Sequence, residues 1–291
     1  MKRLYYLLLI FLASYYTHDS YATIKTQKAP VTIFVHGTLY PLLDVLVHKL
    51  DVPLGLTPAR VQGNKLYMGK IPYILHEALP EQFPLDTSYL FGWSGKLSFA
   101  ERKAAAFDLY CHIKKFAGHP ITLITHSHGG NVALNLPAVA QEHNDTQFCI
   151  DRLILLANPV QVVTERFVSW PAFKQVFSFY SRGDRTQIMD PEGLYRQWGR
   201  AAAVQRKIFS RRTFCPSPNL IQIGTVIHGK RPCHLDFISP RFLRHLPFIL
   251  NFVPKQTKQV CYKSKESHFA IYLPRCSCQY YRFGHVCQLA Y

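Results

Sequence analysis

Two short apolar runs each break into a glycine-bearing turn, and the second of these restricts the possible folds most. Ile121-Thr122-Leu123-Ile124 leads into Thr125-His126-Ser127-His128-Gly129, and a helix-compatible stretch from Gly130 to Val139 follows at once. An apolar run of that length between turn residues reads as a buried strand. Strand, tight turn and helix in immediate succession push the turn serine out of the backbone, where its hydroxyl is available as a nucleophile. The helix that follows aims its free N–H groups and the positive end of its dipole at an anion forming beside Ser127. The first run, Val31-Thr32-Ile33-Phe34-Val35, empties into His36-Gly37-Thr38. There a glycine lets the backbone turn an N–H toward a substrate oxygen.

Further along, Arg152 to Ala157 is a buried-strand candidate closed by Asn158-Pro159, and Val176 to Tyr180 leads into Ser181-Arg182-Gly183-Asp184. Leu220 to Ile227 forms the last strand expected and leads into Gly229-Lys230-Arg231-Pro232-Cys233-His234. Helices are expected over Leu42 to Leu50 and from the capping box Ser98-Phe99-Ala100-Glu101 to about Phe116. Two more begin at Asp190-Pro191 and at Ser239-Pro240, the latter running through Arg241 to Leu250. Asp51 to Phe91, rich in proline, glycine and aromatic residues, reads as a long irregular insertion, with Leu66, Tyr73, Ile74, Leu75, Leu79 and Phe83 as pocket-lining or core residues. This succession predicts a largely parallel α/β sheet flanked by helices, with functional loops at the carboxyl ends of the strands.

These pieces resemble the α/β-hydrolase family in its lipase and esterase branch, whose nucleophile elbow is G-x-S-x-G and whose first buried strand ends in a His-Gly oxyanion loop. Thr125 stands where the family has its first glycine, a position that must stay small because strand and helix approach closely. The resemblance covers roughly residues 30 to 252. It implies an α/β-hydrolase fold with the insertion as pocket wall or lid, and a triad in the order nucleophile, acid, base. Ser127 is then the nucleophile, with Ser94 its rival. Asp184 is the preferred acid, with Asp190 and Asp236 as alternatives. His234 is placed ahead of His228 and His245 as the base. The backbone N–H groups of Thr38 and His128 would form the oxyanion hole, while the His126 and His128 side chains are set aside as bases because a tight elbow turns them to different sides. No metal or organic cofactor is required by this chemistry.

The N-terminal segment has cationic Lys2 and Arg3, an apolar stretch Leu4 to Ala13, and a small-residue site Ser20-Tyr21-Ala22. That is the plan of a secretory signal peptide over residues 1–22, and the alternative is an uncleaved anchor. The expected organisation is thus a leader, a single hydrolase domain over 23–255 and a Cys/His-rich extension over 256–291. The net charge of +17 falls to +16 without the leader, which removes two basic and one acidic residue. Such a balance favours peripheral association with anionic membrane or polymer surfaces. No nucleic-acid-binding motif accompanies the basic clusters at Arg196 to Arg212 and Arg231 to Arg244, so no specific nucleic acid is expected.

All eight cysteines lie beyond the leader, and Cys261, Cys276, Cys278 and Cys287 crowd the tail with His268 and His285. Disulfides are favoured over zinc because the compartment would be oxidising and the spacing lacks paired C-x-x-C knuckles. Cys111 and Cys149 read as small buried apolar residues. The combined expectation is a secreted or periplasmic serine hydrolase, a lipase-like carboxylic ester hydrolase acting on an ester or lipid. The alternatives are an inactive protein of the same fold that adheres to anionic surfaces, or a membrane-attached interaction protein.

Overall fold

In the computed structural model the described residues are 28–38, 52–63, 68–188, 210–227, 229–252 and 268–273. Eight strands among them form one sheet: β1 (Val31–Val35), β2 (Gly55–Pro58), β3 (Ser88–Gly92), β4 (Ile121–His126), β5 (Arg152–Leu156), β6 (Val176–Tyr180), β7 (Leu220–Ile227) and β8 (His268–Leu273). Their order across the sheet is β2-β3-β1-β4-β5-β6-β7-β8. Only β2 runs antiparallel to its neighbour.

The continuous apolar runs are explained by coverage on both faces. Every residue of β1, β4 and β6 is buried, as expected for a parallel sheet sandwiched between helices. Successive strand residues point to opposite faces. Ile33, Leu123, Leu153 and Leu155 therefore pack in one core with Ala106 and Leu109 of α3 (Phe99–Ile113), Val132 of α4 (Gly129–Leu134) and Val139 of α5 (Leu136–Glu142). Phe34, Ile124, Ile154 and Phe177 join the other core with Leu75 of α2 (Lys70–Ala78) and Phe242 of α8 (Pro240–Leu243). Three short α-helical turns complete the numbering, α1 (Ala59–Gln62), α6 (Val162–Glu165) and α7 (Arg185–Ile188), and 3-10 turns lie at Leu85–Thr87, Lys114–Phe116, Arg166–Ser169 and His234–Ile238.

Several sequence expectations need correction. Much of the region read as irregular, Asp51 to Phe91, builds β2, α1, α2 and β3, and Leu75 and Phe83 are fully buried core residues. The stretch Gly130 to Val139 is two helices meeting at Asn135, because Pro137 has no N–H to continue the ladder. Pro247 similarly follows the break after α8, and helical residues resume over 246–252. Leu220–Ile227 is not the final strand, since β8 pairs beside it in parallel. Cys111 is exposed and Cys149 half-buried rather than core, and both are free thiols, as are Cys215 and Cys233. The leader, the expected helices at Leu42 to Leu50 and Asp190-Pro191, Leu66, His228 and the four tail cysteines lie outside the described residues.

Register sets what meets what. Val35 of β1 lies level with Thr125 of β4, so both strands end together and His36-Gly37 runs alongside His126-Ser127. Strands β5, β6 and β7 continue this edge with Leu156 beside Phe179 and Tyr180 beside Gly224.

Candidate active site

Ser127 has φ +53°, one of three non-glycine residues at positive φ among those described. That conformation costs an L-residue about 1–2 kcal/mol. It is held by the Ser127 N–H donating to the Leu156 carbonyl at 2.9 Å and by the Gly130 N–H donating to the Ser127 carbonyl at 3.0 Å. Glycines surround the turn because other backbone occupies the space. A Cβ on Gly129 would lie 2.4 Å from the His36 carbonyl oxygen, and one on Gly37 would lie 2.7 Å from Ser127 Cβ. Thr125 fits because its hydroxyl, fully buried, donates to the Ile154 carbonyl at 3.1 Å.

The loop after β1 is held by His36. Its Nε2 accepts the Trp93 N–H at 3.0 Å, so Nδ1 carries the proton and donates to the Gly37 carbonyl at 2.7 Å. Trp93 Nε1 returns a bond to the His36 carbonyl at 2.8 Å, and the two rings stack with centroids 5.7 Å apart. The Gly37 carbonyl shares a rigid peptide plane with the Thr38 N–H, so fixing one fixes the direction of the other. Thr38 Oγ1 is buried, with no hydrogen-bond partner among the described residues.

A second centre forms between the turns after β6 and β7. His234 Nδ1 and Asp184 Oδ2 are 2.8 Å apart, with the Asp184 side chain fully buried. A carboxylate only accepts, so His234 Nδ1–H donates and leaves the Nε2 lone pair free for a proton. Asp184 Oδ1 accepts the Gln187 N–H at 3.0 Å, and the Asp184 carbonyl accepts from Arg212 Nη2 at 2.9 Å. The two turns touch, since a Cβ on Gly183 would lie 2.8 Å from the Arg231 carbonyl oxygen.

The elbow's flanking histidines do turn to different sides. His128 Nδ1 lies 3.4 Å from Nη1 of Arg102, a fully buried arginine on α3 that also sits 4.8 Å over the Phe99 ring. His126 turns to His234: its Nε2 is 3.1 Å from the His234 carbonyl, and the two rings are 4.7 Å apart at 53°. Burial, then the neighbouring His234 and His36 imidazoles, push the His126 imidazole down to about 3, against the opposing pull of its bond to the His234 backbone. Among the described residues the His234 ring is hydrogen-bonded to Asp184 and not to Ser127. Such bonds to a nucleophile commonly tighten only once substrate is present.

The other sequence candidates lie elsewhere. Ser94 is exposed and its Oγ accepts the Lys96 N–H. Asp236 caps its own 3-10 turn by accepting the Cys233 N–H at 2.7 Å. His245 sits between α8 and the helical residues 246–252, while Asp190 and His228 are outside the described residues. No group of three or more metal-ligating side chains is placed to hold an ion among the described residues. Sequence reasoning missed the His36 ring, Arg102 and His126. Arg102 stands three, four and seven positions before Ala105, Ala106 and Leu109, a spacing that puts it on the buried face of α3 and was there to be read.

A mostly parallel sheet with an antiparallel second strand and helices on both faces is an α/β-hydrolase-like fold. No family model and no curated protein sequence matches the chain. Among solved structures, its fold is similar to the mature lipase BlEst2 of Bacillus licheniformis at 12% identity and a TM-score of 0.39, covering 77% of this chain and 91% of that one. It is also similar to a Pyrobaculum calidifontis esterase at 10% identity and a TM-score of 0.34, covering 85% and 68%. Carboxylesterase CesB of Bacillus subtilis is a third neighbour, at 12% identity and a TM-score of 0.32, covering 77% and 84%.

Proposed function

We propose that this chain is a serine hydrolase of the lipase and carboxylesterase type, with Ser127 as nucleophile, His234 as base and Asp184 as the carboxylate that orients it. The observation that carries the reading is the 2.8 Å bond between His234 Nδ1 and the fully buried Asp184 carboxylate, at the same sheet edge as a serine forced to positive φ. In this scheme Ser127 Oγ attacks the acyl carbon while its proton passes to His234 Nε2. Asp184 steadies the resulting imidazolium. The N–H groups of Thr38 and His128 receive the oxyanion, a contribution of about 10²–10³ in rate for one such donor. The intermediate collapses as the imidazolium returns its proton to the leaving alcohol. Water then repeats the sequence on the acyl-enzyme and releases the acid.

Export through residues 1–22 and peripheral attraction of the +16 mature chain to anionic membranes belong to the same proposal. An ester or lipid is the proposed substrate.

The test is labelling of purified protein with a fluorophosphonate probe, followed by a p-nitrophenyl ester chain-length series. Wild type should label and Ser127→Ala should not, with both folded by circular dichroism. A folded wild type that resists the probe would instead support an inactive binding protein on this fold.

A further inference from the structure

We propose that His126 is a positioning residue for His234, holding the base turn against the elbow by donating its Nε2–H to the His234 carbonyl while remaining a neutral imidazole. This rests on the Ser127 and His234 assignments above. A carbonyl only accepts, so the 3.1 Å contact assigns a proton to His126 Nε2, and burial, which disfavours the charged ring, leaves the lone pair on Nδ1. The bond joins the end of β4 to the turn after β7, across 108 positions of chain. It engages the backbone of His234 alone, leaving the ring's Nδ1 to Asp184 and its Nε2 to the reaction.

Neutrality matters because the ring of His126 lies 4.7 Å from the ring that becomes a cation during catalysis. A second cation there would oppose that step, whereas a neutral aromatic face tolerates it. Among the described residues the ionisable groups acting on His126 are His36 from the end of β1 and His234 from the turn after β7, and Asp184 from the turn after β6 is bonded to Nδ1 of the His234 ring. The first two disfavour a charge on His126, and burial disfavours it more strongly. The sequence offered no sign of this, since a histidine beside a nucleophilic serine reads only as a flanking residue.

The experiment uses the full chain as wild type, Ser127→Ala, His126→Gln and His126→Phe. It measures the second-order rate of fluorophosphonate labelling from pH 4 to 9 and the imidazole ¹⁵N spectrum of His126. Glutamine places an N–H donor near the position of Nε2, and phenylalanine keeps the ring without the donor. The Gln variant should label within about threefold of wild type and the Phe variant at least tenfold slower, in keeping with the cost of a base displaced by a fraction of an ångström. The acid limb of the wild-type profile should have unit slope, and His126 should remain the neutral Nε2–H tautomer down to pH 4.

Equal rates for Phe and Gln, a limb of slope two, or a protonated or Nδ1–H His126 near pH 5 would each overturn the proposal. Should His126→Phe not fold, the slope and the spectrum decide. Should wild type not label at all, the hydrolase reading fails separately, and the spectrum still judges the neutral bond.

Discussion

Ser127 is a residue whose conformation works against stability. Its positive φ is tolerable for glycine and costly for serine, so Ser127→Gly should raise stability by about 1 kcal/mol while abolishing probe labelling. For a chain of this size that corresponds to a rise in Tm of roughly 2–4 °C, measurable by thermal unfolding. A decrease would mean that the serine hydroxyl supports the fold. At this scale the sequence was informative where a residue type has one physical use in its setting. Ser127 between a strand and a helix was legible for that reason, whereas Gly37 was read as freeing a backbone turn and the close approach was expected at Thr125, not at Gly37 and Gly129 where the structure has it. The His36 ring, Arg102 and His126 were not, because their partners lie on other elements and only the folded register brings them together.

At the scale of elements, the loop after β5 braces the site. Thr164 Oγ1 donates to Asn131 Oδ1 at 2.6 Å, and Asn131 Nδ2 donates to the Pro159 carbonyl at 3.0 Å, tying α4 to this loop. Gln187, whose N–H meets Asp184, reaches the Asn158 carbonyl from the other side at 2.6 Å. The Ser127 elbow and the Asp184 turn therefore share one buried polar strut. Asn131→Ala should cost about 1 kcal/mol in a urea titration, because the Pro159 carbonyl keeps only Asn158 Nδ2 at 3.1 Å and Thr164 Oγ1 only the Gln161 carbonyl at 3.4 Å. A loss below half a kcal/mol would show that the strut is not stressed by its removal.

Strands β1, β4, β5, β6 and β7 were readable as apolar runs bounded by turn residues. β2 and β3 were not. Gly55-Leu56-Thr57-Pro58 ends in a proline that is admissible only at a sheet edge, and Ser88 to Gly92 contains no β-branched aliphatic residue.

For the whole molecule, the buried imidazole makes folding acid-sensitive. His126 binds its proton near 6.5 when unfolded and near 3 when folded. Between those values the unfolded chain holds more protons, so stability falls as pH falls and levels off below about 3. From pH 7 to pH 4 the loss from this one group is about 3 kcal/mol at 1.36 kcal/mol per unit. In urea unfolding, His126→Gln should therefore lose less stability than wild type over that interval. Identical losses would place the acid sensitivity in other groups.

That the Ser127, Asp184 and His234 turns follow three successive strand ends was expected from the apolar runs, while their chemical order was expected from the family resemblance alone. The placement of β8 was not expected, because its stretch sits in a tail whose cysteines and histidines drew a reading of disulfide or metal chemistry.

That last strand has a consequence for the newborn protein. β8 is made after Ser127, Asp184 and His234, yet it completes the sheet beside β7, the strand that ends at the His234 loop. At about 5–20 residues per second, translation delivers Ser127 on the order of ten seconds before residues 268–273 exist. Once residue 227 has been made, and until residues 268–273 follow, the nascent chain carries β7 as an open edge. The order of synthesis therefore closes this flank of the sheet only after the Ser127, Asp184 and His234 turns have all been made.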